Sequence, residues 1–204
     1  MSAGYLRAVS TIVLGFALVA PLAWAQEATV RVRGTIERAE GDTYIVKSRD
    51  GAELRLKLAP KASVVALIQA TLADIKQGSY VGVAAMPLAD GSQKALEVHI
   101  FPEGMRGTGE GHRGWDLQPS STMTNGNVEK ASVSSDGQVL TLNYKDGEKQ
   151  IVVPAGTPIV SYVPGDVNEL KAGARIFISA AKKLPDGSLE AARVNIGRGV
   201  TPPM

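Results

Sequence analysis

Apolar and polar residues alternate from Leu54 through Arg55, Leu56 and Lys57 to Leu58, and again from Val139 to Tyr144. A period of two puts one apolar and one polar face on an extended chain, as a half-buried antiparallel strand requires. Asp-Gly pairs at 50–51, 90–91, 136–137, 146–147 and 186–187 fall between such runs, where glycine tolerates the positive φ of a tight hairpin turn. The pattern predicts short antiparallel strands joined by hairpins. One segment departs from it: Ser63 to Ile75 carries apolar residues at helical spacing with Ser63 placed as an N-cap, which predicts one short helix.

The same order of elements occurs twice. Gly34 to Arg38, Thr43 to Lys47, Asp50-Gly51 and Glu53 to Leu58 are answered by Gly126 to Lys130, Val139 to Tyr144, Asp146-Gly147 and Glu148 to Val153. Ile75 to Val83, with Lys76-Gln77-Gly78, matches Leu170 to Ile178, with Lys171-Ala172-Gly173, and Asp90 to Ile100 matches Asp186 to Ile196. Such a repeat settles architecture before any single residue is interpreted. The expected fold is all-β with one short helix: two tandem small OB-like five-stranded β-barrels joined by a glycine-rich linker, with a sandwich of hairpins as the competing arrangement. In the second copy Pro158 and Pro164 interrupt the place where the first copy predicts its helix. The divisions are 1–25, 26–101 for the first module, 102–124 for the linker, 125–198 for the second module and 199–204 for a disordered tail.

The N-terminus has a different pattern. Arg7 precedes an apolar run from Val9 to Ala20, Pro21 ends it, and Ala23-Trp24-Ala25 places small residues where a signal peptidase reads. This predicts a cleavable signal peptide, cut between Ala25 and Gln26, and a periplasmic product with no membrane span after cleavage. The net charge of +2 gives no reason to expect nucleic acid as a partner, and the absence of cysteine excludes disulfides, thiolate metal sites and thiol catalysis.

The recurring glycine, strand, Asp-Gly, strand, Lys-x-Gly, strand and Asp-Gly-Ser pattern resembles a widespread bacterial family of exported β-modules of unknown function. The whole chain, including Arg106 to His112 and Trp115 to Pro119, resembles a narrower set of Gram-negative exported proteins labelled metal ABC transporter permease. A permease needs several membrane spans, and this chain offers only its signal segment, so the label does not describe a mechanism. The resemblance implies an exported β-module and brings no catalytic residues with it.

Residues 102–124 hold most of the unusual chemistry. Gly109 to Gly114 matches G-x-G-x-x-G, but the dinucleotide motif needs a strand leading straight into a helix, and Pro102 and Trp115 to Pro119 surround it instead. The two histidines, His99 and His112, flank this stretch with Met105 and Glu110, a set whose thioether and imidazole donors suit copper or silver and whose imidazole and carboxylate donors suit zinc or nickel. The ingredients resemble those of small OB-fold periplasmic copper and silver chaperones. Against this, His99 aligns with Asn195 of the second copy, and the linker chemistry can serve packing alone. Arg106, Arg113, Trp115 and Asp116 are the expected linker contacts.

No nucleophile elbow, H-E-x-x-H helix or paired carboxylates mark a catalytic centre, so the expectation is no enzyme and no catalytic or cofactor-binding residue. The favoured reading is a noncatalytic periplasmic binding or assembly module for an envelope protein, glycan or small ligand. A periplasmic metal-binding or metal-delivery protein is the alternative, and an enzyme of unrecognised type is the second alternative.

Overall fold

The computed structural model describes residues 29–135 and 137–202, so the signal segment and its cleavage position lie outside the described residues. The chain is built from strands β1 (Thr29–Glu40), β2 (Thr43–Ser48), β3 (Glu53–Gln69), β4 (Tyr80–Pro87), β5 (Gln93–Phe101), β6 (Gly111–Gly114), β7 (Thr122–Ser134), β8 (Gly137–Tyr144), β9 (Gly147–Val153), β10 (Ile159–Pro164), β11 (Arg175–Lys183) and β12 (Leu189–Gly197). Among the described residues the helical elements are short 3-10 turns at Leu72–Asp74, Glu103–Met105 and Val167–Glu169. Among those residues no helix is long and apolar enough to cross a membrane.

The expected helix after Ser63 is a strand. Residues 63–69 continue β3, where Val64, Val65 and Ile68 are β-branched and fit a pleated surface better than a helix. A 3-10 turn at Leu72–Asp74, with Asp74 accepting from the Thr71 backbone and hydroxyl, stands where the helix was expected to end.

Strand pairing closes a five-stranded barrel in the order β1-β2-β3-β12-β11 and back to β1. Its first three strands come from the first repeat and its last two from the second. The remaining main strands form a reciprocal ring, β7-β8-β9-β5-β4 and back to β7, whose short seam pairs Gln93 with Ile151 and Lys94 with Val152. The two interiors are divided in the same way. One core joins Val32, Ile36, Val46 and Leu56 to Ile176, Ile178, Ala191 and Val194. The other joins Val81, Val83, Ala95 and Val98 to Val128, Leu140, Leu142 and Ile151.

Within the described residues 29–101, β1 therefore pairs with β11 and β4 with β7, where one barrel per module would pair β1 with β4. Residues 63–67 run beside β12 and residues 65–69 beside β10, and the extended chain leads from there to β4. β10 lies antiparallel to the end of β3 and parallel to β5, joining the two rings.

Equivalent residues of the two repeats do equivalent work. A Cβ on Gly34 would lie 2.4 Å from the Lys47 carbonyl oxygen, and one on Gly126 would lie 2.5 Å from that of Asn143. Glycine at these positions lets β1 and β7 cross their neighbours closely enough to curve. The Ile36 N–H donates to the Ala174 carbonyl and the Ile36 carbonyl accepts from the Gly173 N–H, just as Val128 exchanges hydrogen bonds with Ser79 and Gly78. The two Lys-x-Gly turns thus clamp the first strand of the opposite repeat.

The expected linker is folded. β6 pairs with β7 from Gly111 opposite Asn125 to Gly114 opposite Thr122, and β7 itself begins within the stretch 102–124. The C-terminal residues also differ from a disordered tail: Val200 packs against the layer that contains Leu67 and Phe177, and the Thr201 hydroxyl accepts a hydrogen bond from Arg175.

Candidate functional site

Strand alternation supplies two faces to β5. Ala95, Val98 and Ile100 point into their ring, which leaves Glu97, His99 and Phe101 on the outside. Glu97 and His99 are nevertheless buried, because β10 and the strands of the barrel lie against that outer face. A third apolar layer forms there from Leu67, Val160, Tyr162 and Phe177, with Phe101, Met105 and Trp115 packed on it.

Within this layer is a chamber of about 190 Å³. β5 contributes His99 and Phe101, β10 Tyr162, β7 Met123 and Asn125, β11 Phe177 and Ser179, and β12 Arg193 and Asn195. The folded linker adds Met105, Thr108, Gly109, Arg113 and Trp115, and the chamber opens to solvent past the exposed Thr108, Gly109, Arg113, Ser179 and Arg193. Phe101 stacks on Tyr162 with ring centroids 4.9 Å apart, and Tyr80 packs behind Phe101 at 5.4 Å. Burial pushes the Tyr80 phenol up to about 12, and its hydroxyl donates to the Thr108 carbonyl at 3.2 Å.

His99 is held at both ring nitrogens. Its Nε2 lies 3.2 Å from a Glu97 carboxylate oxygen and its Nδ1 lies 3.1 Å from the Tyr162 hydroxyl. Each ring nitrogen of His99 thus has one hydrogen-bond partner, a carboxylate on one side and a phenol hydroxyl on the other. Burial raises the Tyr162 pKa, with the Glu97 charge adding to the effect, so the phenol keeps its proton. Glu97 also lines an open groove of about 670 Å³ along β1, β2 and β11, between Arg33, Lys47, Arg49 and Arg175. The Glu97-His99-Tyr162 chain thus runs from that groove to the chamber.

The linker wall is fixed by cations and hydrogen bonds. Trp115 lies between two guanidiniums, with the Arg31 carbon 4.1 Å and the Arg113 carbon 5.6 Å from its ring centroid. Asp116 accepts from Arg33 at 2.7 Å and pairs with Arg31 at 3.3 Å. The hydrogen bond from Arg33 is the main reason its carboxyl is held down to about 2. Arg113 donates to the Gly109 carbonyl, so its hydrogen-bond partner is a backbone group and not a carboxylate. Burial, with the neighbouring Arg31 charge, lowers its pKa from the usual guanidinium value. Arg106 binds Glu103 and the Gly78 carbonyl, tying the 3-10 turn to the clamp on β7.

Two buried polar atoms on residues that line the chamber have no hydrogen-bond partner among the described residues: the indole Nε1 of Trp115 and the side-chain oxygen of Asn125. The Asn125 amide nitrogen donates to Thr108 at 2.9 Å, which fixes the orientation of its oxygen. An unsatisfied buried donor or acceptor costs about 1–3 kcal/mol, a cost that a bound polar group removes. The groove on β1, β2 and β11 is larger, but its Arg33 is paired with Asp116 and its Arg49 and Arg175 are exposed to water.

Of the sequence-derived ligand set, His99 and Met105 meet at the chamber, joined by Met123. His112 and Glu110 do not. The His112 Nδ1 is 2.8 Å from the Thr124 hydroxyl and its ring lies over Tyr144 at 6.4 Å, while Glu110 accepts from the Lys145 amide. Burial lowers the His112 pKa, and Lys149 and Arg113 add to that direction. Among the described residues no three histidine, aspartate or glutamate side chains stand close enough to hold a metal together. Tyr162, Phe177, Asn125 and Arg193 escape a sequence reading, because they belong to outward strand positions whose partner depends on the crossing of β3. Comparison of the chain with protein-family models, curated proteins and solved structures finds no match.

Proposed function

We propose that this is a noncatalytic ligand-binding protein of the bacterial envelope, exported by its N-terminal segment to the periplasm. In this reading the two repeats form two OB-like five-stranded barrels that exchange their last two strands, and a small ligand sits in the chamber between them. The exported β-module family that the sequence resembles fits this address. The observation that carries the reading is the pair of unpartnered polar atoms, on Trp115 and Asn125, in a chamber otherwise walled by aromatic and thioether side chains. Ligand sites have this composition: a mostly apolar wall with few polar groups that fix orientation.

The test is a fragment screen by ligand-detected NMR on the wild-type protein and on Ser179→Trp, which places an indole at the chamber wall. Hits that the variant loses while keeping its thermal midpoint support the reading. A screen whose hits persist undiminished in the variant places the ligand elsewhere and defeats it.

A second reading rests on His99, Met105 and Met123 lining the same chamber, a soft donor set for copper(I) or silver. Binding would require His99 to give up one of its two ring-nitrogen bonds, to Tyr162 or to Glu97. Titration of copper(I) against the wild type and a His99→Ala/Met105→Ala variant tests it: tight binding lost in the variant favours metal, and equal binding in both rules out these ligands.

A further inference from the structure

We infer that the chamber takes a single-ring aromatic carboxylate, an inference that rests on the chamber being a ligand site and narrows what enters it. Three observations select this chemistry. The first is size: a dry cavity of about 150 Å³ accommodates benzene in a well-studied engineered case, and this one, at about 190 Å³, has room for one ring and a small substituent. The second is the wall. Phe101, Tyr162 and Phe177 line the chamber, and the Phe101 and Tyr162 rings lie at an interplanar angle of 19°. Such a surface favours a flat apolar body over a hydrated sugar.

The third is charge. Arg113 and Arg193 line the chamber, and among the described residues no aspartate or glutamate does, since Glu97 stands behind His99 and faces the groove. Arg113 and Arg31 flank the Trp115 ring, so the indole N–H sits in a positive field and is itself an unused donor. A carboxylate placed there pairs with Arg113, and a turn of the indole that uncovers its N–H adds a hydrogen bond from Nε1, a charge-assisted contact at the mouth of the chamber. The ring of the ligand then lies toward Phe101 and Phe177. Asn125 oxygen is the acceptor left over for a hydroxyl substituent on that ring.

The experiment is calorimetric titration of the full chain with benzoate, 4-hydroxybenzoate, benzyl alcohol and acetate, with the Trp115 indole N–H resonance followed in parallel and assigned by its loss in Trp115→Phe. The inference expects both aromatic carboxylates to bind and to move that resonance downfield. It expects benzyl alcohol and acetate to bind at least about tenfold more weakly, the scale of one charged hydrogen bond. Arg113→Met should lose about tenfold in benzoate affinity and Arg113→Lys should recover part of it, which a merely structural role for Arg113 would not produce. Benzyl alcohol binding as well as benzoate, with the indole resonance moved by both, overturns the carboxylate inference and leaves the chamber as a ligand site. If no aromatic compound moves the indole resonance, the inference fails, and the fragment screen with Ser179→Trp then decides separately whether the chamber binds anything.

Discussion

Leu67 of β3 stands opposite Tyr162 of β10 in antiparallel register, and the two residues occupy equivalent positions of the two repeats. The pair marks the point where the repeats cross. On one side the chain leads from β3 to β4 in the opposite ring, and on the other from β10 to β11 in the barrel. An equivalence shared by sequence and space makes the molecule close to a two-fold object with one functional asymmetry: Tyr162 offers a hydroxyl to His99, whereas Leu67 and Asn195 occupy the matching places without one.

The exchange of strands can be checked covalently, because the chain contains no cysteine. Thr35 of β1 lies opposite Arg175 of β11. A Thr35→Cys/Arg175→Cys variant should oxidise to an intramolecular disulfide in the monomer, since directly opposed antiparallel residues fall within bonding range. Thr35→Cys/Tyr80→Cys, the pair that a barrel made of one contiguous repeat would bring together, should not cross-link. Mass spectrometry of the monomer distinguishes the two outcomes, and the reverse result rejects the exchange.

Close strand crossings predict a sharp dependence on two glycines. Gly34→Ala and Gly126→Ala each put a methyl within contact-forbidding distance of a backbone carbonyl, and the neighbour is a strand that cannot swing aside. Each should cost about 1–3 kcal/mol, the range for overpacking. Gly104→Ala, where nothing lies within 4 Å of the added carbon, should stay near neutral. Urea denaturation of the three variants gives the comparison.

Asp116 ties the linker to β1 through Arg33 and Arg31, and its pKa is held at about 2. A carboxyl depressed on folding adds stability that is present above its unfolded value and is lost as pH falls toward the folded one. The loss therefore occurs between about pH 4 and 2. With its side chain 47 % exposed, the pair is screened, so Asp116→Asn should cost no more than about 1 kcal/mol at neutral pH. The variant should show a flatter acid limb in a pH series of melting points; an unchanged limb would assign acid sensitivity to other carboxyls.

Removing the Tyr162 hydroxyl leaves His99 Nδ1 buried without its hydrogen-bond partner. Tyr162→Phe should cost about 1–3 kcal/mol although the ring and its stacking on Phe101 remain. Asymmetry gives the control: Leu67→Met, at the equivalent position, keeps the volume and breaks no hydrogen bond, so it should cost less than about 1.5 kcal/mol. Equal losses in the two variants would deny the hydroxyl its part.

Much of the local structure was legible in the sequence. Gly51, Gly91, Gly147 and Gly187 of the Asp-Gly pairs all adopt positive φ in the expected hairpins, and the Leu54 to Leu58 alternation is a strand. The segment after Ser63 misled because apolar residues at positions 64, 65, 67 and 68 satisfy a helical spacing and a doubly covered strand alike, and only packing separates the two. The exchange was illegible for a different reason. Val81 and Val83 of one repeat and Ile176 and Ile178 of the other present the same apolar pattern, so either fourth strand fits either first strand. The chamber inherits that ambiguity. His99, Met105 and Trp115 stood out as chemistry, but Tyr162, Phe177 and Arg193 join them only once β3 and β10 cross.

Ligand entry between the rings is read by the Trp115 indole N–H, a buried donor with no hydrogen-bond partner among the described residues. The measurement is its proton resonance and solvent-exchange rate across a library of small aromatic and aliphatic acids. At least one aromatic acid should move the resonance downfield and slow its exchange in the wild type, and do neither in Ser179→Trp. A resonance that no member of the library moves, while binding is detected elsewhere on the protein, would contradict it.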